Sequence, residues 1–195
     1  MSNGLYAIDF TNELASAQVK SAILLAGLYA RGETCVREPQ PTRDYTEKML
    51  GAFGWPVSIS DHEIRLSGGH CLRATDVEVP GDFSSAAFPI VAATLVPGSE
   101  IVVESVGVNA RRTGLLSALR LMGADIVEEN RREHGWEAVA DLRVRHAPLH
   151  GIELPLEIVA DMIDEFPVLF VAAAFASGET LIEGVGELRV KESDR

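Results

Sequence analysis

Three times along this chain a run of small and apolar residues ends at a glycine and passes into β-branched residues. That order restricts the fold more than any other feature. The first copy runs from Gln18 to Tyr29, reaches Gly32 and continues as Thr34-Cys35-Val36. The second runs from Ser84 to Leu95, through Pro97-Gly98, into Ile101-Val102-Val103, and the third from Asp164 to Phe175, through Gly178, into Thr180-Leu181-Ile182. An apolar helix, a glycine free to turn left-handed at its end and a strand is the physical reading of each. The three glycines are 66 and 80 residues apart, and Gln18, Ser84 and Asp164 each stand 14 residues before theirs.

A second helix follows in the first two copies, Thr46 to Phe53 before Gly54 and Thr113 to Met122 before Gly123, each preceded by arginine (Arg43; Arg111-Arg112). Short alternating segments come next: Val57-Ser58-Ile59 with Glu63-Ile64-Arg65-Leu66, and Ile126-Val127 with Leu142-Arg143-Val144-Arg145. Alternation of this kind predicts paired strands with one solvated face. The repeating unit is therefore β-α-β-α-β-β. Its period exceeds that of solenoid repeats, so the expected fold is α+β and pseudo-symmetric, with helices gathered on one side of mixed sheets.

Composition narrows the function classes. With 195 residues, 47% of them apolar, the chain can bury a substantial core. A net charge of −12 argues against broad electrostatic binding to nucleic acid or anionic membranes, so an anionic ligand would need a local basic pocket. The two cysteines, Cys35 and Cys71, lack metal-ligand spacing and read as reduced thiols of a cytoplasmic protein. No apolar run reaches the length of a membrane span. Residues 1–4 read as a leader or tag.

Polar residues gather at the helix starts, and amides at a helix N-terminus with arginine nearby make a site for phosphate or carboxylate. Read one at a time, Ser16, Ser84 and Asp164 are equally helix caps, and the arginines solvated side chains. The last seven residues, Arg189-Val190-Lys191-Glu192-Ser193-Asp194-Arg195, carry five ionisable side chains, and Arg195 takes the place of Arg43 and Arg111-Arg112 in the third copy. Two cations and a carboxylate at a strand-to-helix junction suit an anion held beside a proton donor; a solvated charge run is the other reading.

Five ordered motifs over residues 15–195 resemble the 5-enolpyruvylshikimate-3-phosphate synthase family: Ser16-Ala17-Gln18-Val19-Lys20-Ser21-Ala22, Thr42-Arg43-Asp44 with Thr46-Glu47-Lys48-Met49-Leu50, Gly81-Asp82-Phe83-Ser84-Ser85-Ala86, Asp164-Glu165-Phe166-Pro167 and Arg189 to Arg195. The resemblance implies the enolpyruvyl transferase fold and transfer of the carboxyvinyl group of phosphoenolpyruvate to the 5-hydroxyl of shikimate 3-phosphate, with no cofactor or metal. It implies that Ser16, Ala17, Gln18, Arg43, Asp164 and Lys191 bind shikimate 3-phosphate, and that Lys191, Glu192 and Arg195 bind phosphoenolpyruvate. Asp164, Lys191 and Glu192 are the implied catalytic residues, Asp164 taking the proton of the attacking hydroxyl and Glu192 supplying one to the methylene.

The same resemblance places residues 5–80 as the last unit of an N-terminal domain and residues 81–195 as the first unit, and most of the next, of a C-terminal domain. Family members carry further basic segments on both sides. The expectation is therefore half of a site that forms between two domains, inactive alone, in a cytoplasmic enzyme that is monomeric at full length and has neither nucleic-acid nor membrane partners. Two alternatives stand beside it: a nucleotide-sugar carboxyvinyl transferase of the same fold, and a non-catalytic phosphate-binding repeat domain.

Overall fold

The computed structural model describes residues 4–60, 62–186 and 188, which divide into two units, residues 1–77 and 78–195. In the first, β1 (Asp9–Thr11), α1 (Ala17–Gly27), β2 (Glu33–Arg37), α2 (Tyr45–Ala52), β3 (Ser58–Ser60) and β4 (Glu63–Ser67) follow in that order. They form a sheet ordered β1-β2-β4-β3, with β1 parallel to β2 and the other pairs antiparallel. Leu24, Leu28, Val36, Leu50, Trp55, Ile64 and Leu66 close the core between helices and sheet.

The second unit repeats the plan. Gly81 bridges Val106 in parallel, α3 (Phe83–Leu95) leads to β5 (Glu100–Gly107), and α4 (Gly114–Leu121) leads to β6 (Asp125–His134) and β7 (Glu137–Arg145). The antiparallel order β5-β7-β6 matches β2-β4-β3. A third round begins with parallel bridges from His150 to Ser177 and from Glu153 to Leu181, which flank α5 (Phe166–Phe175). Leu115, Leu116, Leu119, Met122, Leu142, Val144, Met162, Phe166 and Leu169 form its main core.

The punctuation is what the sequence demanded. Gly32, Gly54, Gly98, Gly123 and Gly178 all have positive φ, between 76° and 102°, each closing a helical segment before the next strand or bridge. The alternating strands present a charged outer face as expected: Arg37 bridges Asp9 and Glu63, Arg65 bridges Glu33 and Glu63, and in the second unit Arg143 bridges Glu100 and Glu129.

Residues 9–11 supply the first strand of the expected unit, a parallel edge strand of three residues too short to be placed from sequence. Two expectations change. The third-copy segment Thr180-Leu181-Ile182 forms no strand of either sheet; Leu181 makes an isolated parallel bridge to Glu153. Helix starts shift too, because caps lie elsewhere than at Gln18, Ser84 and Asp164. Ser16 caps α1 by accepting from the Val19 amide, and Asp82 caps α3 by accepting from the Ser85 amide. Both caps stand 16 residues before their glycines, whereas α5 starts with Glu165 at the cap position and Pro167 in the first turn.

Close approach of backbone fixes Gly151. The Gly151 amide donates to Ser177 O at 2.7 Å, and a Cβ on Gly151 would lie 2.1 Å from Glu179 O. Since that neighbour is backbone, the two segments would have to part. Gly151→Ala is expected to lower the stability of the chain by about 3 kcal/mol, read from the denaturant midpoint. An unchanged midpoint would show that the segments separate freely.

Candidate active site

Each unit places polar side chains at its helix starts. In the first, Ser16 and Ala17 are half-buried, Gln18 is exposed and Arg43 is half-buried one residue before the α2 cap position. Asp44 occupies that position without a side-chain cap bond and pairs with Lys48 at 3.3 Å.

Beneath these residues lies a buried polar group. Lys20 Nζ is 3.0 Å from Glu38 Oε2 and 2.7 Å from Glu47 Oε1, and Lys20, Glu38 and Glu47 are 1%, 3% and 3% exposed. Asn12, 1% exposed, donates through Nδ2 to Glu38 Oε1 at 3.3 Å and to Ser16 O at 3.0 Å, and its Oδ1 accepts from the Ser16 amide at 3.4 Å. That grip holds Ala15 at φ 48°, a left-handed conformation unfavourable for a residue with a Cβ, and so fixes how the chain enters α1. Ser21 and Thr46 hydroxyls meet at 2.7 Å and tie α1 to α2 a turn further on.

Nothing in the sequence announces this network. Lys20 lies in the Ser16 to Ala22 motif, but its spacing carries no sign of burial. The available signal was its company: Lys20 stands four residues after a cap as the one charged residue of α1. Burial pushes the Glu47 carboxyl above its ordinary range against the pull of Lys20, and Glu47 Oε2 is buried with no hydrogen-bond partner.

In the second unit the arginine before α4 meets the start of α5. Arg112 Nη2 donates to Ser84 Oγ at 2.6 Å, and Nη1 lies 3.4 Å from Asp164 Oδ2. Nη2 also lies 3.7 Å from Asp82 and 3.8 Å from Glu165. Ser84 Oγ donates in turn to Glu165 Oε1, so the hydroxyl relays between guanidinium and carboxylate. Burial would raise the Asp82 carboxyl, but hydrogen bonds from the Ser85 hydroxyl and amide, with Arg112 nearby, hold it below its usual range. Arg111 turns instead to Asp161, 3.7 Å away, whose carboxyl burial pushes up against that cation.

Ser16, Ala17, Gln18 and Arg43 thus share one unit and stand over one network, while Asp164 stands against Arg112 in the other. Arg112 is no solvated cation: its side chain is 12% exposed and surrounded by carboxylates. Lys191, Glu192 and Arg195 lie outside the described residues. A carboxylate aimed by a guanidinium can receive a proton in a fixed direction, and a capped helix start with an adjacent arginine can take an anion.

The repeated sheets and helices have the enolpyruvyl transferase fold. NikO, an enolpyruvyl transferase from Streptomyces tendae, shares it at 18% identity, with a TM-score of 0.67 over 96% of this chain and 47% of that one. EPSP synthase from Acinetobacter baumannii superposes with a TM-score of 0.90 at 51% identity, over 97% of this chain and 43% of that one.

The family model of EPSP synthase (3-phosphoshikimate 1-carboxyvinyltransferase) matches residues 2–195, and the chain belongs to that family. The 3-phosphoshikimate 1-carboxyvinyltransferases of Xanthomonas euvesicatoria and Xanthomonas axonopodis are each 68% identical to it over 191 residues. Those 191 residues are 98% of this chain and 43% of each relative, so the chain spans less than half the length of the curated relatives it matches. Among the described residues, no helix is long and apolar enough to cross a membrane.

Proposed function

We propose that this chain supplies part of a cytoplasmic enzyme that transfers the carboxyvinyl group of phosphoenolpyruvate to the 5-hydroxyl of shikimate 3-phosphate, a step toward aromatic amino acids. Residues 5–80 are the last repeat of its N-terminal domain, and residues 81–195 belong to its C-terminal domain. The observation that carries this reading is the family match across residues 2–195.

Ser16, Ala17, Gln18 and Arg43 bind shikimate 3-phosphate, joined by Asp164 and Lys191. Lys191, Glu192 and Arg195 bind phosphoenolpyruvate. As the 5-hydroxyl oxygen bonds to C2 of phosphoenolpyruvate, its proton passes to Asp164, while Glu192 delivers a proton to C3. The C2–O bond to phosphate then breaks and a proton leaves C3, restoring the vinyl group in the product. Such a path needs a base on the alcohol, an acid on the vinyl carbon and cations on two phosphates and a carboxylate.

The test is a graft in which this chain replaces the matching 43% of the Xanthomonas euvesicatoria synthase. Phosphate release from the two substrates is expected within about tenfold of the parent, because substitutions away from transition-state contacts change the barrier little. The chain by itself is expected to release none. A well-folded graft with no turnover would overturn the reading.

A further inference from the structure

Binding of a phosphate by Ser16, Ala17 and Gln18 together with Arg43 requires two separate segments of the first unit to stand at a fixed spacing. We infer that Glu38 is a positioning residue that sets this spacing, acting through Thr42 on one side and through Asn12 and Lys20 on the other. The inference rests on the proposed role of those four residues in holding shikimate 3-phosphate.

Glu38 is a rigid post. It follows β2 directly, its amide donates to His62 O at 2.8 Å, and its side chain is 4% exposed. Its Oε1 accepts from Thr42 Oγ1 at 2.5 Å and from Asn12 Nδ2 at 3.3 Å. Its Oε2 accepts from Lys20 Nζ at 3.0 Å and from the Thr42 amide at 3.5 Å. Thr42 immediately precedes Arg43, so its two bonds fix the backbone from which that side chain departs. Asn12 in turn brackets Ser16, and Lys20 lies one helical turn after it. One carboxylate thereby reaches both segments, and the charged groups facing it are Lys20 on α1 and, across that lysine, Glu47 on α2.

The energetic logic is preorganisation. A multipoint anion contact gives its full strength only when its donors are held within about 0.5 Å of the bound geometry. Burying a lysine between two glutamates is a costly way to hold a helix to a loop, since apolar residues of equal volume are often at least as stable. The polar network supplies direction, which apolar packing does not: four donors converge on one carboxylate from three segments.

The experiment uses the grafted synthase with Thr42→Val, Thr42→Ser and Glu38→Gln. Thr42→Val removes the hydroxyl donor and keeps the shape, and is expected to raise the KM for shikimate 3-phosphate about tenfold. The kcat and the KM for phosphoenolpyruvate should stay within about twofold, because the lost contact serves ground state and transition state alike. Thr42→Ser, which restores the hydroxyl, should return the KM to within about twofold of the unsubstituted graft. Glu38→Gln should behave as Thr42→Val or more strongly; if it fails to fold, the Thr42 pair decides alone. An unchanged KM in Thr42→Val, an equal defect in Thr42→Ser, or a loss confined to kcat in step with the folded fraction would each overturn the inference. An unsubstituted graft without turnover would overturn the functional reading, and this inference with it.

Discussion

In the grafted synthase, Asp164→Asn is expected to lower kcat by about 10²–10⁴-fold while changing either KM by less than about tenfold, the range usual for loss of a positioned proton acceptor. The substitution keeps size and shape and removes basicity, so a defect in kcat reports proton transfer. The neighbouring guanidinium sharpens the prediction. Arg112 Nη1 lies 3.4 Å from Asp164 Oδ2 while its other terminal nitrogen donates to Ser84, so the fork fixes the direction of the carboxylate. Arg112→Lys keeps the charge but cannot reach Asp164 and Ser84 together, and should lower kcat about tenfold with a smaller effect on either KM. Steady-state kinetics of both variants check the pair. An Asp164→Asn enzyme within threefold of the parent would mean that the 5-hydroxyl proton goes elsewhere.

The sequence showed the skeleton of this arrangement and little of its interior. Five glycines at helix ends, three arginines before second helices and a serine followed by a helical run are local signals, each carried by one residue's backbone or capping chemistry. Ser16 was legible because its role needs only the amide three residues on. Asp82 is hidden as a cap because Ser84, two residues later, fits the glycine spacing shared with Gln18 and Asp164, while the apolar run still marks the helix. Arg112 read as one of a pair, and nothing in its neighbours said which would turn toward Asp164. That choice depends on α5 lying beside α3 and α4, a contact between residues 52 positions apart. Glu38 and Lys20 were hidden for the same reason. A glutamate after a strand and a lysine on a helix look solvated until the fold closes over both.

Lys20→Met is expected to be the most damaging single change to the stability of the first unit, at about 3–5 kcal/mol, because it leaves two carboxylates buried without their cation. Lys20 is 1% exposed, and its Nζ contacts both Glu38 and Glu47, so solvent does not replace the charge it supplies, and the bonds to Glu38 from Asn12 and Thr42 carry none. The double variant Lys20→Met, Glu47→Gln should recover part of the loss by removing one of the stranded charges. Glu47 also gives the unsubstituted chain a pH signature. Burial raises its carboxyl above the ordinary value of 4.5, so the native state binds this proton more tightly than the unfolded chain does. Stability from this group is then fully present below the unfolded value and falls as pH rises through the raised native one. Glu47→Gln, which cannot ionise, should lack that component, so its melting temperature should gain on the parent's as pH rises from 4.5 and level off above the native value. Thermal melts across that range give both readings at once. A Lys20→Met chain whose first unit melts within about 4 °C of the parent's, about the smallest shift that 1 kcal/mol produces in a unit of residues 1–77, would show that the buried carboxylates take up protons freely enough to do without the lysine.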